Sequence, residues 1–101
     1  MRIIVMFDLP VVSANDRREY TRFRKYLIKS GFLMLQESVY CKLAKNSTAA
    51  DLIIQNLKKN KPLSGLVQTL KITEKQFSRM EYIVGQKESD VLDSDERLVF
   101  L

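Results

Sequence analysis

Asp8 is the residue of this 101-residue chain best placed to do chemistry. It closes the apolar run Ile3-Ile4-Val5-Met6-Phe7 and is followed by Leu9-Pro10. Five apolar residues in a row, several of them β-branched, predict a short strand buried on both faces. Pro10 cannot donate to a sheet ladder and pushes Leu9 toward extended geometry, so the strand ends near Asp8 or Leu9. A carboxylate at the carboxyl end of a buried strand must be solvated, paired or metal-bound, because burying it alone is costly. Two readings of Asp8 follow. It caps a turn or the next helix, or it serves a site of metal or phosphate chemistry.

Composition removes most other chemistry. The chain has no histidine, which excludes Ser-His-Asp and Cys-His nucleophilic sites and the usual His-containing zinc sites. The single cysteine, Cys41, cannot form an internal disulfide and reads as a small inward-facing core residue, with a cytoplasmic location as the natural expectation. The three glycines, Gly31, Gly65 and Gly85, stand too far apart for a P-loop or a dinucleotide fingerprint. No apolar stretch approaches the ~18 residues of a membrane span. The buried strand begins at once, so neither a signal peptide nor a membrane partner is expected.

Charge supplies the second candidate. Residues 1–87 carry 16 Lys and Arg against 7 Asp and Glu, a net of +9, whereas residues 88–101 carry one Arg against five acids, a net of −4. A body this basic suits nucleic acid or another acidic surface. The cations concentrate on the first predicted helix, where Arg18, Arg22, Lys25 and Lys29 fall within about 60° of one another at 3.6 residues per turn. Like charges at this spacing repel. The stripe is therefore either a solvated outer face or a track for phosphates. Arg17, near the helix start, is the cation expected to look back toward Asp8.

The elements that position these groups read as follows. Ser13, with Asp16 three residues on, fits a capping box, with Asn15 as a rival cap. The helix runs to about Ser30 and Gly31 stops it. Tyr20, Phe23 and Leu27 form its apolar face. Phe32–Leu35 and Val39–Leu43 are extended, joined by a hairpin or bulge at Gln36-Glu37-Ser38. A second helix opens at Asn46-Ser47-Thr48, with Thr48 and Asp51 repeating the box, and presents Ala49, Leu52, Ile53 and Leu57. Asn60-Lys61-Pro62 ends it. Strand Leu66–Ile72, a helical turn over Thr73–Phe77 and a fifth strand over Arg79–Val84 follow. Residues 1–85 thus form one domain, and 86–101 an acidic tail ending in apolar Leu98-Val99-Phe100-Leu101, which suits addition to a sheet edge.

The order β-α-β-β-α-β plus an extra strand predicts an α+β, ferredoxin-like fold with both helices on one face of the sheet. The other face needs a cover. A homodimer in which each chain extends the other's sheet by strand exchange supplies one.

With these elements in place the sequence resembles a known family. The first strand ends Phe7-Asp8-Leu9-Pro10 and a helix rich in Arg and Lys follows. Then come Gly31-Phe32, Gln36-Glu37-Ser38-Val39-Tyr40 and a final Ile83-Val84-Gly85. Together, over residues 1–85, they are similar to the small CRISPR-associated Cas2 proteins. Ile72-Thr73-Glu74-Lys75-Gln76-Phe77 resembles the variety from systems with a single large effector nuclease. The resemblance implies a homodimer of the prokaryotic cytoplasm that works in spacer acquisition with the CRISPR integrase subunit. It also implies binding to double-stranded DNA, possibly RNA, and metal-dependent endonuclease activity with Mg²⁺ or Mn²⁺. The family's acidic catalytic and metal-binding residue falls on Asp8, and its basic helix on Arg17, Arg18 and Arg22.

Two function classes stand. The first is a metal-dependent phosphodiesterase in which Asp8 and its symmetry copy form a paired site. The second is a non-catalytic DNA-binding scaffold for the integrase, with Asp8 structural. An RNA-recognition domain of the same topology is weaker, since Ser38–Leu43 offers one aromatic where the motif needs several.

Overall fold

The computed structural model describes residues 1–85. Its elements are β1 (Arg2–Asp8), α1 (Ala14–Lys29), β2 (Leu33–Gln36), β3 (Val39–Leu43), α2 (Ser47–Lys59), β4 (Leu66–Ile72) and α3 (Glu74–Ser78). The four strands form one sheet in the order β2-β3-β1-β4, antiparallel at every pairing. This is the α+β ferredoxin-like fold that the element order predicts. The first strand is a central one, which explains why its sequence is apolar without alternation. The acidic tail and apolar terminus, 86–101, lie outside the described residues.

Local signals set the helix ends. Ser13 caps α1 in a reciprocal box with Asp16, and Gly31 at φ 93° lets the chain turn out of the helix. The second box is different from the one expected. Asn46, not Thr48, caps α2, its side chain accepting from the Ala49 amide at 2.8 Å. Asp51 is instead paired with Lys71 of β4 at 2.6 Å. The helix therefore starts earlier, at Ser47; Leu57 is buried and Ala49 and Ile53 pack against the core as expected, joined by buried Ala50, while Leu52 is exposed.

Both helices pack on one face. Ile3, Val5 and Phe7 of β1 join Phe23 and Leu27 of α1, Ala50 and Leu57 of α2, and Tyr40 of β3 in a single core. Phe7 is its hub, meeting Phe23 edge-on at 5.3 Å and stacking on Tyr40 at 5.8 Å. Such ring pairs add roughly 0.5–1.5 kcal/mol each beyond burial. Tyr40 takes the core position on β3, and its hydroxyl accepts from Arg24 at 3.0 Å. Cys41 is buried as expected, but on the opposite face, beside Ile4 in register and against Arg2. Alternation shows that Tyr40 and Cys41 face opposite ways; it cannot say which way the helices lie.

The helix-free face carries Arg2, Ile4, Met6 and Asp8 of β1 with Ile72, Leu70, Gln68 and Leu66 opposite them in turn on β4. Leu33, Leu43, Leu66 and Leu70 are each more than half exposed there. Among the described residues only its Arg2 end is covered, by α3. Arg2 donates to both Glu74 carboxylate oxygens, at 3.0 and 2.8 Å, and its guanidinium lies 4.1 Å from the centre of the Phe77 ring. The hydrogen bond from Arg2 holds the Glu74 carboxyl below its ordinary value of 4.5. A carboxylate depressed in the folded state stabilises above its ordinary value, and that stabilisation is lost as pH falls through the folded value. The α3 amide resonances should stay fixed from neutral pH down to about the ordinary carboxylate range and shift below it. Glu74→Gln should abolish that titration.

The fifth strand expected over Arg79–Val84 is absent among the described residues. A strand needs a hydrogen-bonded neighbour, and none of the described strands pairs with the segment. Its Ile83 and Val84 are 89% and 88% exposed.

Candidate functional site

Asp8 is the last residue of β1, opposite Leu66 in the β1–β4 ladder. Its side chain is exposed and makes no hydrogen bond or ion pair among the described residues. The helix that follows is capped by Ser13 and Asp16, so the capping role for Asp8 is not taken up. Both carboxylate oxygens are available to a ligand.

Three segments hold this strand end. Leu9 is buried and anchors the exit. The β2–β3 turn lies on one side, where the Phe7 amide donates to the Ser38 carbonyl at 3.1 Å. Ser38 sits at φ 64° and the chain shifts register between Met34 and Gln36, so the expected connection is both hairpin and bulge. Glu37 in that turn is exposed. On the other side stands Gly65, at φ 97°, immediately before β4.

The sequence-predicted cations divide into two sets. Arg17, Arg18, Arg22 and Lys25 line one shallow depression of about 760 Å³ on α1, together with Glu19 and Thr21. Asp8 is not part of its lining, nor is Lys29, which is exposed further along the helix. Arg17 does not look back toward Asp8; its guanidinium donates to the Val12 carbonyl at 2.8 Å and to that of Val11 at 3.4 Å. Arg22 is tied more firmly, donating to the carbonyls of Asn60 and Lys61 at 3.2 and 3.1 Å and pairing with Glu19 at 3.3 Å. Glu19 also accepts from the Leu63 amide at 3.3 Å, and these donors hold its carboxyl below the usual range, Arg22 foremost. Arg18 makes one long contact to Asn15 at 3.4 Å. Lys25 and Lys29 make no side-chain hydrogen bond or ion pair among the described residues.

Sequence reasoning did not find this Arg22–Glu19 brace between α1 and the loop after α2. Its partners lie some forty residues away and are mostly backbone carbonyls, which carry no sequence signal.

No group of three His, Cys, Asp or Glu side chains that could hold a metal occurs among the described residues. No helix among them is long and apolar enough to cross a membrane.

The fold and the site together define a small basic ferredoxin-like protein with an unengaged carboxylate at the end of its central strand and a cationic helix beside it. The family model described as CRISPR associated protein Cas2 matches residues 1–80. The CRISPR-associated endoribonuclease Cas2 of Treponema denticola is 54% identical over 101 residues, covering all of both chains. That of Streptococcus mutans serotype c is 48% identical over 101 residues, covering all of this chain and 93% of the relative. That of Ligilactobacillus salivarius is 41% identical over the full length of both. The chain belongs to the CRISPR-associated protein Cas2 family.

Proposed function

We propose that this chain is a metal-dependent endonuclease of a CRISPR system, acting as a homodimer in which Asp8 and its copy are the catalytic, metal-holding pair. The observation that carries the reading is the state of Asp8: exposed, capping nothing, paired with nothing among the described residues, and fixed at a strand end. The relatives' designation as endoribonucleases supports phosphodiester hydrolysis. It favours RNA as a substrate.

One carboxylate is too few for a hard divalent cation, which prefers six oxygen ligands. The residues fit such an ion only if a second chain contributes. Asp8 lies on the helix-free face with exposed Leu66 and Leu70, an apolar surface of the kind that marks an interaction site. A two-fold axis at that end of the face brings Asp8 against its own copy. Two carboxylates, waters and a substrate phosphate then complete the set. Mg²⁺ or Mn²⁺ bound there supplies charge neutralisation and a water of lowered pKa. Asp8 holds the site and orients it toward the phosphate, and the cations of α1 hold the polymer. The same reading carries a prokaryotic cytoplasmic location and the CRISPR integrase subunit as partner in spacer acquisition.

The rival is a non-catalytic scaffold binding duplex DNA, favoured by the lack of any three-ligand cluster among the described residues. Light scattering should give about twice the 11.8 kDa chain mass; a monomer at micromolar concentration removes the paired site. Matched RNA and DNA substrates are then incubated with Mg²⁺, Mn²⁺ or EDTA. Cleavage lost with EDTA supports the nuclease. Duplex binding without cleavage in any metal supports the scaffold.

A further inference from the structure

We infer that Gly65 is a positioning residue for Asp8: the absence of its side chain lets the start of β4 close on the strand end that carries the carboxylate. This deepens the nuclease reading and rests on it. A Cβ built on Gly65 would stand 2.7 Å from Leu9 Cδ2, 2.9 Å from the Asp8 carbonyl oxygen and 3.1 Å from Leu9 Cα. Two of those three atoms are backbone, and the third belongs to a buried side chain, so none can swing aside. At φ 97° the position is also one that side-chain-bearing residues rarely adopt.

The β4 side is braced against taking up the displacement. The preceding loop is bound to α1 through Arg22 to the Asn60 and Lys61 carbonyls and through Glu19 to the Leu63 amide. Pro62 in that loop is buried. Between Leu9-Pro10, the first turns of α1 and Pro62–Ser64 the remaining gap is only about 20 Å³, roughly room for a single water. A side chain at 65 therefore moves the Asp8–Leu9 backbone. Misplacing a catalytic group by about 1 Å can cost ~10²-fold in rate.

Gly31 gives the matched control. It has nearly the same backbone, φ 93°, yet a Cβ there meets only Lys42 Nζ and Cε at 3.5 and 3.6 Å, which is ordinary contact. Gly31→Ala isolates the backbone penalty; Gly65→Ala adds the collision with Asp8. The full-length protein is compared as wild type, Gly31→Ala, Gly65→Ala and Asp8→Asn by oligomeric state, melting temperature, kcat and KM with Mn²⁺, and the Asp8 amide resonance. Gly65→Ala should remain dimeric and lower kcat by about 10–100-fold with KM unchanged, with the Asp8 resonance displaced. Gly31→Ala should leave kcat and that resonance as they are. Wild-type kcat and an unmoved Asp8 resonance in Gly65→Ala overturn the proposal. If Asp8→Asn cleaves like wild type, the nuclease reading fails separately, and the resonance still decides whether Gly65 holds the strand end. Should Gly65→Ala not fold, Arg22→Lys loosens the same loop with charge kept: a several-fold fall in kcat at constant KM supports the proposal, and an unchanged kcat overturns it.

Discussion

On the proposed nuclease reading, Asp8→Asn should give a folded, dimeric protein whose cleavage with Mg²⁺ or Mn²⁺ is lower by about 10²–10³-fold, the loss of roughly 3–4 kcal/mol of transition-state stabilisation. The substitution removes a charge while keeping the volume of the side chain. Nothing in the fold depends on that charge: Asp8 accepts no hydrogen bond among the described residues, and α1 has its own cap in Ser13 and Asp16. Stability should therefore change by no more than about 0.5 kcal/mol, as for an ordinary surface site. A capping aspartate would instead lose about 0.5–2 kcal/mol on replacement by alanine, with activity merely following the folded fraction. Thermal melts and single-turnover cleavage on the same preparations separate the two. Nucleic-acid affinity should hold or rise slightly, since each chain sheds one negative charge. Undiminished cleavage by a well-folded Asp8→Asn dimer refutes the assignment.

Reversing Arg18, Lys25 and Lys29 to glutamate should weaken binding to RNA and duplex DNA by about 10²–10³-fold at moderate salt, equally for all sequences. Each phosphate contact contributes a slope of about 0.9 in log K against log salt. Losing three should flatten that plot by nearly three units. Arg22 behaves differently although it shares the stripe. It is tied to Asn60, Lys61 and Glu19, so Arg22→Ala should cost on the order of 1 kcal/mol in stability, after allowance for its exposure. Its effect on the salt slope should be small. Fluorescence anisotropy across a salt series, beside denaturant melts, measures both. A triple variant with an unchanged slope would mean that the stripe is only a solvated face.

The contrast between Arg18 and Arg22 shows what the sequence holds and what it does not. Helical periodicity puts both on one face, and that is correct. Whether a given arginine is available to phosphate depends on what the fold brings against it, here the end of a helix some forty residues away. The same distinction runs through the fold. Signals confined to a few residues were legible: Pro10 ending β1, Ser13 with Asp16 opening α1, Gly31 closing it, the apolar faces of Phe23 and Leu27. Thr48 with Asp51 had the same local form as Ser13 with Asp16, yet Asn46 captured the helix start and Lys71 captured the aspartate. Two side chains two positions apart that compete for one role cannot be ranked without the tertiary partner. Asp8 was legible as a candidate because a charge after five apolar residues stands out. Gly65 was legible only as the start of a strand, since its contact with Leu9 spans more than fifty residues.

The central place of β1 has a consequence for synthesis. Ile4 pairs with Cys41 on one side and Leu70 on the other, so β1, made before either of its partners, waits longest of the sheet's strands to have both ladders closed. At about 5–20 residues per second, Ile3–Phe7 waits several seconds for β3 and longer for β4. Throughout that interval a short β-prone segment is open to neighbouring nascent chains, the condition under which strands mispair between molecules. Mutations that delay β4, such as those at its Gly65 entrance, should lower soluble yield even where the finished sheet is stable.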